Sequence, residues 1–485
     1  MLAGCASRPR AASGPSAPLP TPGTRAPRPP NVILVIADDL SAAELGCYGQ
    51  ARIRTPRIDA LAREGVRLTA FDSAAAVCAP SRAMLLTGLH AGHAGIRDNR
   101  EIGAEGQQPI GASTPTLVHD LDRRGYATGL FGKWGLGGPG SASEPLDCGF
   151  DRFTGYLCQR KAHDHYPPSL WSDRTKVELG GTTYANDAIR DAAVRFVKDH
   201  AGAPFLLVFA SPLPHLALQV PDEDLREYAG AFPEQPYDGS RGYRPHPTPR
   251  AAYAAMITRF DRDVGAIVDA VRAAGIERET IVLVTADNGA THDVGGVDTG
   301  YFASTGGLRG RKGTHFEGGL RVPFVAWAPG RIAPGRVLND QAWTVDLRAT
   351  VDAWCAAGAP PTDGRNLAGW LDGRTPQPPR AFEAYWESPG YGGQQAAAWI
   401  DGPHRWKAIR LRLATDGLRA PVQLFDLAAD PNEANDVAAG HPRETAEAWR
   451  RLTDARIPSE VFALPGAARG EMPTESVIRT TQPRT

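Results

Sequence analysis

The sequence predicts an α/β protein: a large, doubly wound, mixed but mostly parallel sheet sandwiched by helices, followed by a small α+β domain with a short antiparallel sheet. Two observations support this prediction. Continuous apolar runs bounded by turn residues alternate with amphipathic segments along most of the chain, which is typical of strands buried on both faces. After about residue 375 the apolar residues instead alternate with polar ones, as in a strand with one face in water.

The elements of the large sheet can be placed in chain order. A β-branched run predicts a first strand at 32–36, and two further apolar runs predict buried strands at 205–209 and 281–284. A helix is expected over 55–64, since a Thr that can cap it and a Pro suited to its first turn stand at its start. Apolar side chains at 3.6-residue spacing predict a longer helix over 254–274.

The C-terminal part has its own pattern. Strands are expected at 409–413, where Ile and Leu alternate with Arg, and at 422–427, with a helix over 443–455. A Pro-rich stretch at 373–380 marks the boundary. The predicted organisation is a disordered tether at 1–30, a catalytic α/β domain at 31–375, an α+β subdomain at 376–460 and a tail at 461–485.

Composition excludes several classes of protein. With 53 basic and 54 acidic residues the net charge is −1, so no overall field attracts nucleic acid or an anionic membrane. No apolar run reaches 18 residues, the length needed to span a bilayer. Six cysteines without a CxxC pair exclude a disulfide scaffold and a zinc ribbon, although Cys148 and Cys158 could pair in an oxidising compartment.

The N-terminal segment favours attachment to a surface rather than a fold. Residues 6–30 are almost all Ala, Pro, Ser, Arg, Gly and Thr, which cannot build a core. Before them, Leu2-Ala3-Gly4-Cys5 resembles a bacterial lipobox, in which the Cys is acylated. This resemblance implies a protein of the periplasm or cell envelope that meets the membrane only through a lipid anchor at Cys5.

Oxygen-bearing side chains follow two of the predicted strands. Asp38 and Asp39 come directly after the strand at 32–36, and Asp287 and Asn288 follow the strand at 281–284. In open α/β sheets, sites form outside the carboxyl ends of the strands. Carboxylate and amide oxygens suit one hard cation, so these four residues predict a site for Ca²⁺ or Mg²⁺.

A second group of residues indicates an anion site. Pro80 fits the first turn of a helix, which places Cys78 at the helix N-terminus, where backbone N–H groups and the helix dipole favour negative charge. Arg82, one turn later, would direct its guanidinium toward the same place.

The Cys78-x-Pro80-Ser81-Arg82 segment resembles the signature of the sulfatase family, in which the Cys is oxidised to formylglycine. Other segments resemble the family's sequences in the same order, and together they cover about residues 31–455. They are Asp38-Asp39, Gly125–Trp134, Pro214-His215, Asp287-Asn288-Gly289, Gly310–Gly313, Glu317–Pro323, and Leu424–Leu427 with Asp430-Pro431.

The resemblance implies a sulfuric ester hydrolase of the arylsulfatase type, within the alkaline phosphatase superfamily, matured by a formylglycine-generating enzyme. Hydrated formylglycine made from Cys78 would attack the sulfur of a sulfate ester, and elimination from its second hydroxyl would release sulfate. Arg82, Lys133 and Lys312 would neutralise the sulfate oxygens, and His215 or Lys312 would protonate the leaving oxygen. The implied metal ligands are Asp38, Asp39, Cys78, Asp287 and Asn288.

The chain departs from the family pattern at one position. The family often reads Gly-Lys-Trp-His-Leu-Gly, with a His that contacts the formylglycine hydroxyl, whereas this chain has Gly135 there. His163 and His165 are candidates to replace that imidazole in the elimination step. The alternative is that both line the substrate pocket, which the neighbouring Tyr166 and Trp171 favour.

The substrate is expected to be a small-molecule or glycan sulfate ester, and aromatic and His residues favour a sulfated carbohydrate. The candidate pocket residues are His163, His165, Tyr166, Trp171, His292 and the stretch 236–250. Two other functions stay open: a phosphonate monoester or phosphodiester hydrolase of the same superfamily, and a non-catalytic glycan-binding protein on this fold.

Overall fold

The computed structural model of the chain describes residues 28–379 and 381–466. Most of the predicted tether, including Cys5, lies outside these residues, since only its positions 28–30 are described. The predicted tail beyond residue 466 also lies outside them. The strands are β1 (Asn31–Ala37), β2 (Val66–Leu68), β3 (Phe71–Asp72), β4 (Ala127–Lys133), β5 (Arg152–Tyr156), β6 (Ser169–Ser172), β7 (Thr175–Glu178), β8 (Phe205–Ala210), β9 (Thr280–Ala286), β10 (Val325–Trp327), β11 (Arg336–Leu338), β12 (Ala342–Trp343), β13 (Glu383–Ser388), β14 (Gln394–Asp401), β15 (His404–Arg410) and β16 (Gln423–Asp426). The α-helices are α1 (Pro56–Glu64), α2 (Cys78–Thr87), α3 (Leu117–Asp122), α4 (Ala185–His200), α5 (Asp222–Leu225), α6 (Pro249–Ala273), α7 (Glu317–Leu320), α8 (Asp346–Cys355), α9 (Ala368–Leu371), α10 (Leu413–Asp416) and α11 (Pro442–Asp454).

The large sheet has ten strands in the order β11-β2-β10-β9-β1-β8-β4-β5-β6-β7. The five central strands, from β9 to β5, are parallel, whereas β10 and β6 join them antiparallel on either side. Every residue of β1, β8 and β9 is buried, because helices cover the sheet. The prediction of a mixed, mostly parallel sheet with helices is confirmed.

Helix α6 is longer than its sequence pattern predicts. It begins at Pro249, five residues before the predicted start, because Thr248 and Pro249 supply a helix entry ahead of the apolar repeat. Its first turns are buried as well as its middle, since α6 packs against both α1 and α4.

The C-terminal sheet has four antiparallel strands in the order β13-β14-β15-β16. The predicted strand at 409–413 is misplaced, because β15 ends at Arg410 and Leu413 starts α10 after Arg412 turns left-handed (φ 58°). Arg410, expected to face water, is buried: it donates to Gln395 at 2.9 Å and its guanidinium lies 4.5 Å from the Trp449 ring centroid.

This small sheet shares its core with residues that lie far before it in the chain. Trp386 belongs to the same buried cluster as Ala74–Ala76 and Met84, and its Nε1 donates to the Ser73 carbonyl at 2.9 Å. Lys407 of β15 is fully buried and its Nζ lies 2.6 Å from Glu317 and 3.1 Å from Glu433. Because Glu317 is the first residue of α7, this ion pair joins the small sheet to the start of α7.

We expect Lys407→Met to destabilise the protein by about 3–5 kcal/mol, because it leaves the buried Glu433 without its cation and Glu317 with Arg321 alone. Urea unfolding followed by tryptophan fluorescence measures the change. Lys198→Met, at an exposed position on α4, should change stability by less than about 0.5 kcal/mol. Equal stabilities of the two variants would contradict a structural role for the buried ion pair.

Two further expectations concern a disulfide bond and a membrane-spanning helix. Cys148 and Cys158 are free, buried thiols, so the pairing left open by the sequence is not formed here. Within residues 28–379 and 381–466, none of the helices combines the length and apolarity needed to cross a bilayer.

Candidate active site

The acidic residues of the site come together because β1 and β9 are adjacent, parallel and in register. Ala37 pairs with Ala286, so the residues that follow both strands emerge side by side at one edge of the sheet. Asp38, Asp39, Asp287 and Asn288 are all buried, with at most 1% of any of them exposed. The Asp39 backbone N–H donates to Asp287 Oδ1 at 3.1 Å, and Asp39 itself is left-handed (φ 65°).

These side chains fit a bound cation. Asn288 Nδ2 donates to Asp39 Oδ1 at 2.8 Å, while Asn288 Oδ1 is buried without a hydrogen-bond partner among the described residues. Ligand atoms of Asp38, Asp39, Cys78 and His215 all lie within 4.8 Å of one another. The two carboxylates of this cluster and the Asn288 carbonyl oxygen are donors of the kind that Ca²⁺ or Mg²⁺ takes. Asp287, whose carboxylate is held by Arg82, does not belong to the cluster.

Cys78 lies at the start of α2, as its neighbouring Pro80 predicts, and is buried. Its Sγ donates to Asp38 Oδ1 at 3.3 Å. Burial first, and then the Asp38 carboxylate, raise the pKa of Cys78 above its ordinary range. The unmodified side chain is therefore a neutral thiol rather than a thiolate nucleophile.

Three cationic side chains surround the carboxylates. Arg82 holds Asp287 through Nε at 2.9 Å and Nη2 at 2.8 Å, and Lys133, the last residue of β4, lies 2.5 Å from Asp38. Lys312 Nζ lies 2.8 Å from Asp39 Oδ1. Burial acts to raise the pKa of Asp38, but the Lys133 ammonium and the other cations hold it well below its usual range.

The hydrogen bonds of His215 define its protonation. Its Nδ1–H donates to the Leu216 carbonyl at 2.7 Å, so Nε2 is left to accept from Lys312 Nζ at 2.9 Å. Burial and the Lys312 ammonium lower the pKa of His215 to about 4. His215 is thus a neutral imidazole at physiological pH, and the proton between the two groups belongs to Lys312.

The two candidate histidines occupy different places. The His163 ring stacks on the His215 ring, with centroids 4.2 Å apart and planes 14° apart, and it is half-buried. His165 is fully buried: its Nε2–H donates to the His215 carbonyl at 2.9 Å and its Nδ1 accepts from Asn186 at 3.1 Å. His163 therefore borders the site, whereas His165 supports the backbone of His215.

The other predicted pocket residues divide in the same way. The Tyr166 ring lies against Tyr184, and Trp171 donates to Glu105 at 2.7 Å. Neither residue therefore contacts the aspartates of the site. Tyr243, from the stretch 236–250, lies 6.4 Å from His215 between ring centroids. His292 lines a cavity of about 590 Å³ beside Lys312.

The space beside Gly135 is filled by a residue that sequence reasoning missed. A Cβ at Gly135, which is left-handed (φ 73°), would lie 2.9 Å from Gln159 Cγ. The buried Gln159 donates to Asn99 Oδ1 at 3.2 Å, and that oxygen also accepts the Ala79 backbone N–H at 3.0 Å. Neither residue belongs to a recognisable motif, so only their positions reveal them.

Thr291 is a second residue that the sequence reasoning missed. Its hydroxyl donates to Asp39 Oδ2 at 2.8 Å. Its place three residues after Asn288, in the loop that follows β9, is a signal that could have identified it.

Comparison with known proteins gives a consistent result. The sequence model of a family described as Sulfatase matches residues 30–355. The chain is 30% identical to human (Homo sapiens) arylsulfatase A over 509 residues, covering 93% of each protein, and 29% identical to mouse (Mus musculus) steryl-sulfatase, covering 85% of this chain and 79% of that protein. The solved structure of Ps i-CgsB in complex with k-i-k-neocarrahexaose superposes with a TM-score of 0.73 at 26% identity, covering 94% of this chain and 98% of that one.

Proposed function

The chain belongs to the sulfatase family and is a sulfuric ester hydrolase, and from this premise we propose that it removes sulfate from a sulfated carbohydrate with a formylglycine made from Cys78 and a bound Ca²⁺. The observation that carries the proposal is the buried Cys78 at the start of α2, placed between three carboxylates and three cationic side chains. The carbohydrate is supported by the complex of Ps i-CgsB with k-i-k-neocarrahexaose.

The residues of the site have separate tasks in this proposal. Asp38, Asp39, Asp287 and Asn288 would hold Ca²⁺, with the modified Cys78 beside them. When present, the formylglycine would supply a hydroxyl nucleophile and Ca²⁺ would supply positive charge near the sulfate. The chain's own side chains then complete the charge balance. Arg82 and Lys133 would carry fixed positive charges toward the sulfate oxygens, where negative charge must be stabilised, and Lys312 would add its charge until it gives up a proton.

Lys312 is assigned the proton that the leaving oxygen takes up. Its Nζ donates to His215 Nε2, so Lys312 carries the protons and His215, whose Nδ1–H is fixed on the Leu216 carbonyl, orients it. The sequence left His215 and Lys312 as alternatives, and this hydrogen-bond direction favours Lys312. Burial acts to lower the pKa of Lys312, but the Asp39 carboxylate holds it well above its usual range, so Lys312 gives up its proton only to a strongly basic oxygen such as an alkoxide leaving group.

We expect alanine substitutions at His163 and His165 to differ in effect. His163→Ala should raise KM for a sulfated sugar several-fold with a smaller change in kcat, since its half-buried ring faces the site. His165→Ala should lower kcat about tenfold or more, because His215 loses the ring that holds its carbonyl. Steady-state kinetics on one substrate separates the two effects, and His200→Ala, at the end of α4, is the control. A fall in kcat alone for His163→Ala would assign it a chemical role instead.

The proposed reaction is tested by parallel assays of sulfate, phosphate and phosphonate monoesters that share one aryl leaving group. We expect the sulfate ester to be hydrolysed with the largest kcat/KM. A larger kcat/KM for the phosphonate ester would contradict the proposal and favour the phosphonate hydrolase alternative. Release of free sulfate from sulfated mono- and oligosaccharides then identifies the natural leaving group.

Maturation and location complete the proposal. We propose that a formylglycine-generating enzyme oxidises Cys78 and that the protein is held at the bacterial envelope by a lipid on Cys5, for which the support is the sequence at Leu2–Cys5. Mass spectrometry of the N-terminal peptide from native membranes tests the anchor, since an acyl chain adds a defined mass to Cys5.

A further inference from the structure

The cavity beside Lys312 has a size and position suited to a further part of the substrate. Its volume of about 590 Å³ lies within the range of small-ligand pockets. Because Lys312 forms part of its wall and also contacts Asp39, the cavity begins where the reacting sulfate would lie. Its other wall residues include His292, Asp293, Arg311, Tyr391 and Gln394.

The loop that carries Lys312 has a fixed backbone. The Lys312 N–H donates to the Ala290 carbonyl at 2.9 Å, and the Gly313 N–H donates to the Ala76 carbonyl at 2.8 Å. Gln394 Nε2 donates to the Gly313 carbonyl at 2.7 Å. Two successive cations therefore diverge from one rigid turn: Lys312 points to the carboxylates, and the half-exposed Arg311 lines the cavity.

Arg311 is held in place by an ion pair and remains partly exposed. Its Nη1 pairs with Asp293 Oδ2 at 2.9 Å, and Asp293 is itself fixed by Thr299, whose N–H and hydroxyl donate to its other oxygen at 2.9 and 2.6 Å. The Arg311 Nε is buried and has no hydrogen-bond partner among the described residues. The Arg311 side chain is 41% exposed and is held through one terminal nitrogen, so its guanidinium is suited to bind a sulfate or carboxylate group.

An aromatic surface adjoins this guanidinium. Tyr391 is 52% exposed, and its ring centroid lies 6.4 Å from that of His292, with the ring planes 28° apart. The left-handed Gly313 (φ 81°) lets Tyr391 lie on the loop, because a Cβ there would be 2.6 Å from its ring. The exposed Tyr391 ring, with the half-buried His292 ring beside it, presents an apolar face to a ligand.

We propose that this cavity is a subsite for a second sugar unit of the substrate that bears an anionic group of its own, with Arg311 binding that group and Tyr391 contacting the sugar ring. The inference rests on the proposed function, since it assumes that the substrate is a sulfated carbohydrate. It narrows the substrate class to glycans that carry a sulfate or a carboxylate on neighbouring units, rather than an isolated sulfate ester.

The test measures inhibition of aryl sulfate hydrolysis by lactose 6-sulfate, lactose 6′-sulfate and lactose 6,6′-disulfate. We expect the disulfate to have a Ki about tenfold or more below that of either monosulfate, because one hydrogen-bonded charge pair is added. Arg311→Gln should bring the ratio close to one, and Arg311→Lys should leave it intermediate. Arg374→Gln, which removes an exposed guanidinium paired with Asp372, should leave the ratio unchanged.

A second variant separates the two parts of the subsite. Tyr391→Ala should raise the Ki of all three sugars by a similar factor and preserve the ratio, since a ring contact does not distinguish charge. Absence of a preference for the disulfate in the unmodified protein, or a preference that survives Arg311→Gln, would overturn the proposal.

Calorimetric binding of the same sugars to the Cys78→Ala chain keeps the two proposals distinguishable. If no aryl sulfate is hydrolysed, the proposed reaction fails, yet the binding ratio still decides the subsite. If hydrolysis occurs and the disulfate binds no more tightly than the monosulfates, the proposed subsite is wrong while the proposed reaction stands.

Discussion

Cys78→Ala should abolish sulfate release, with kcat reduced by at least about 10⁴, while the protein remains folded. The side chain supplies the nucleophile after its oxidation, so its removal leaves no route through that atom. The fold should tolerate the change, because Sγ makes one hydrogen bond, to Asp38, whose other oxygen stays paired with Lys133. Free sulfate release measures the first effect, and thermal unfolding measures the second.

Cys148→Ala is the matched control, since it also shortens a buried free thiol but lies in the turn before β5. It should retain full turnover. Cys78→Ser should be almost as inactive as Cys78→Ala, because a serine hydroxyl has no second hydroxyl from which to eliminate sulfate. Protein made in a host without formylglycine-generating activity should carry an intact Cys78 thiol and be mostly inactive. Turnover close to that of the unmodified protein in either Cys78 variant would disprove the assignment.

Asp287→Asn should remove the response to calcium together with most of the activity. In the unmodified protein, saturating Ca²⁺ at about 100 times Kd should stabilise the fold by about 2.7 kcal/mol, and chelation should reverse this. Burial and the Asp38 carboxylate raise the pKa of Asp287 to about 6, and a bound cation would favour its ionised form. Thermal unfolding with and without Ca²⁺, alongside the rate of sulfate release, measures both effects.

The control for this variant is Asp261→Asn, which also changes a buried carboxylate. Asp261 accepts the backbone N–H groups of Arg57 and Ile58 at 3.1 and 2.7 Å, at the start of α1. Its variant should be less stable than the unmodified protein but should keep the full calcium response. A calcium response in Asp287→Asn equal to that in Asp261→Asn would exclude Asp287 from the cation site.

Three central strands of the large sheet were predictable from the sequence because their signals are local. The apolar runs of β1, β8 and β9 are buried on both faces, so each reads as a strand without knowledge of its neighbours. The acidic residues were predictable for a related reason. They stand directly after two such strands, and parallel strands bring their carboxyl ends to one edge.

The C-terminal sheet was harder to predict because its stability depends on contacts with the rest of the protein. The Ala-rich centre of β14 has no strong strand preference of its own, and it is held between β13 and β15. Lys407 and Arg410 look like surface residues in the sequence. Their burial depends on partners far along the chain, Glu317 for the first and Trp449 for the second.

The sequence by itself predicted the residues of the site: a Cys at a helix start, four oxygen donors after two strands and, through the resemblance to the sulfatase family, the cations Arg82, Lys133 and Lys312. Only the tertiary structure decided what surrounds it. It separated His163, which stacks on His215, from His165, which supports it from the interior. It also filled the space at Gly135 with Gln159 and placed Arg311 in a cavity. These contacts join residues that are distant in sequence, and neither periodicity nor local spacing encodes such contacts.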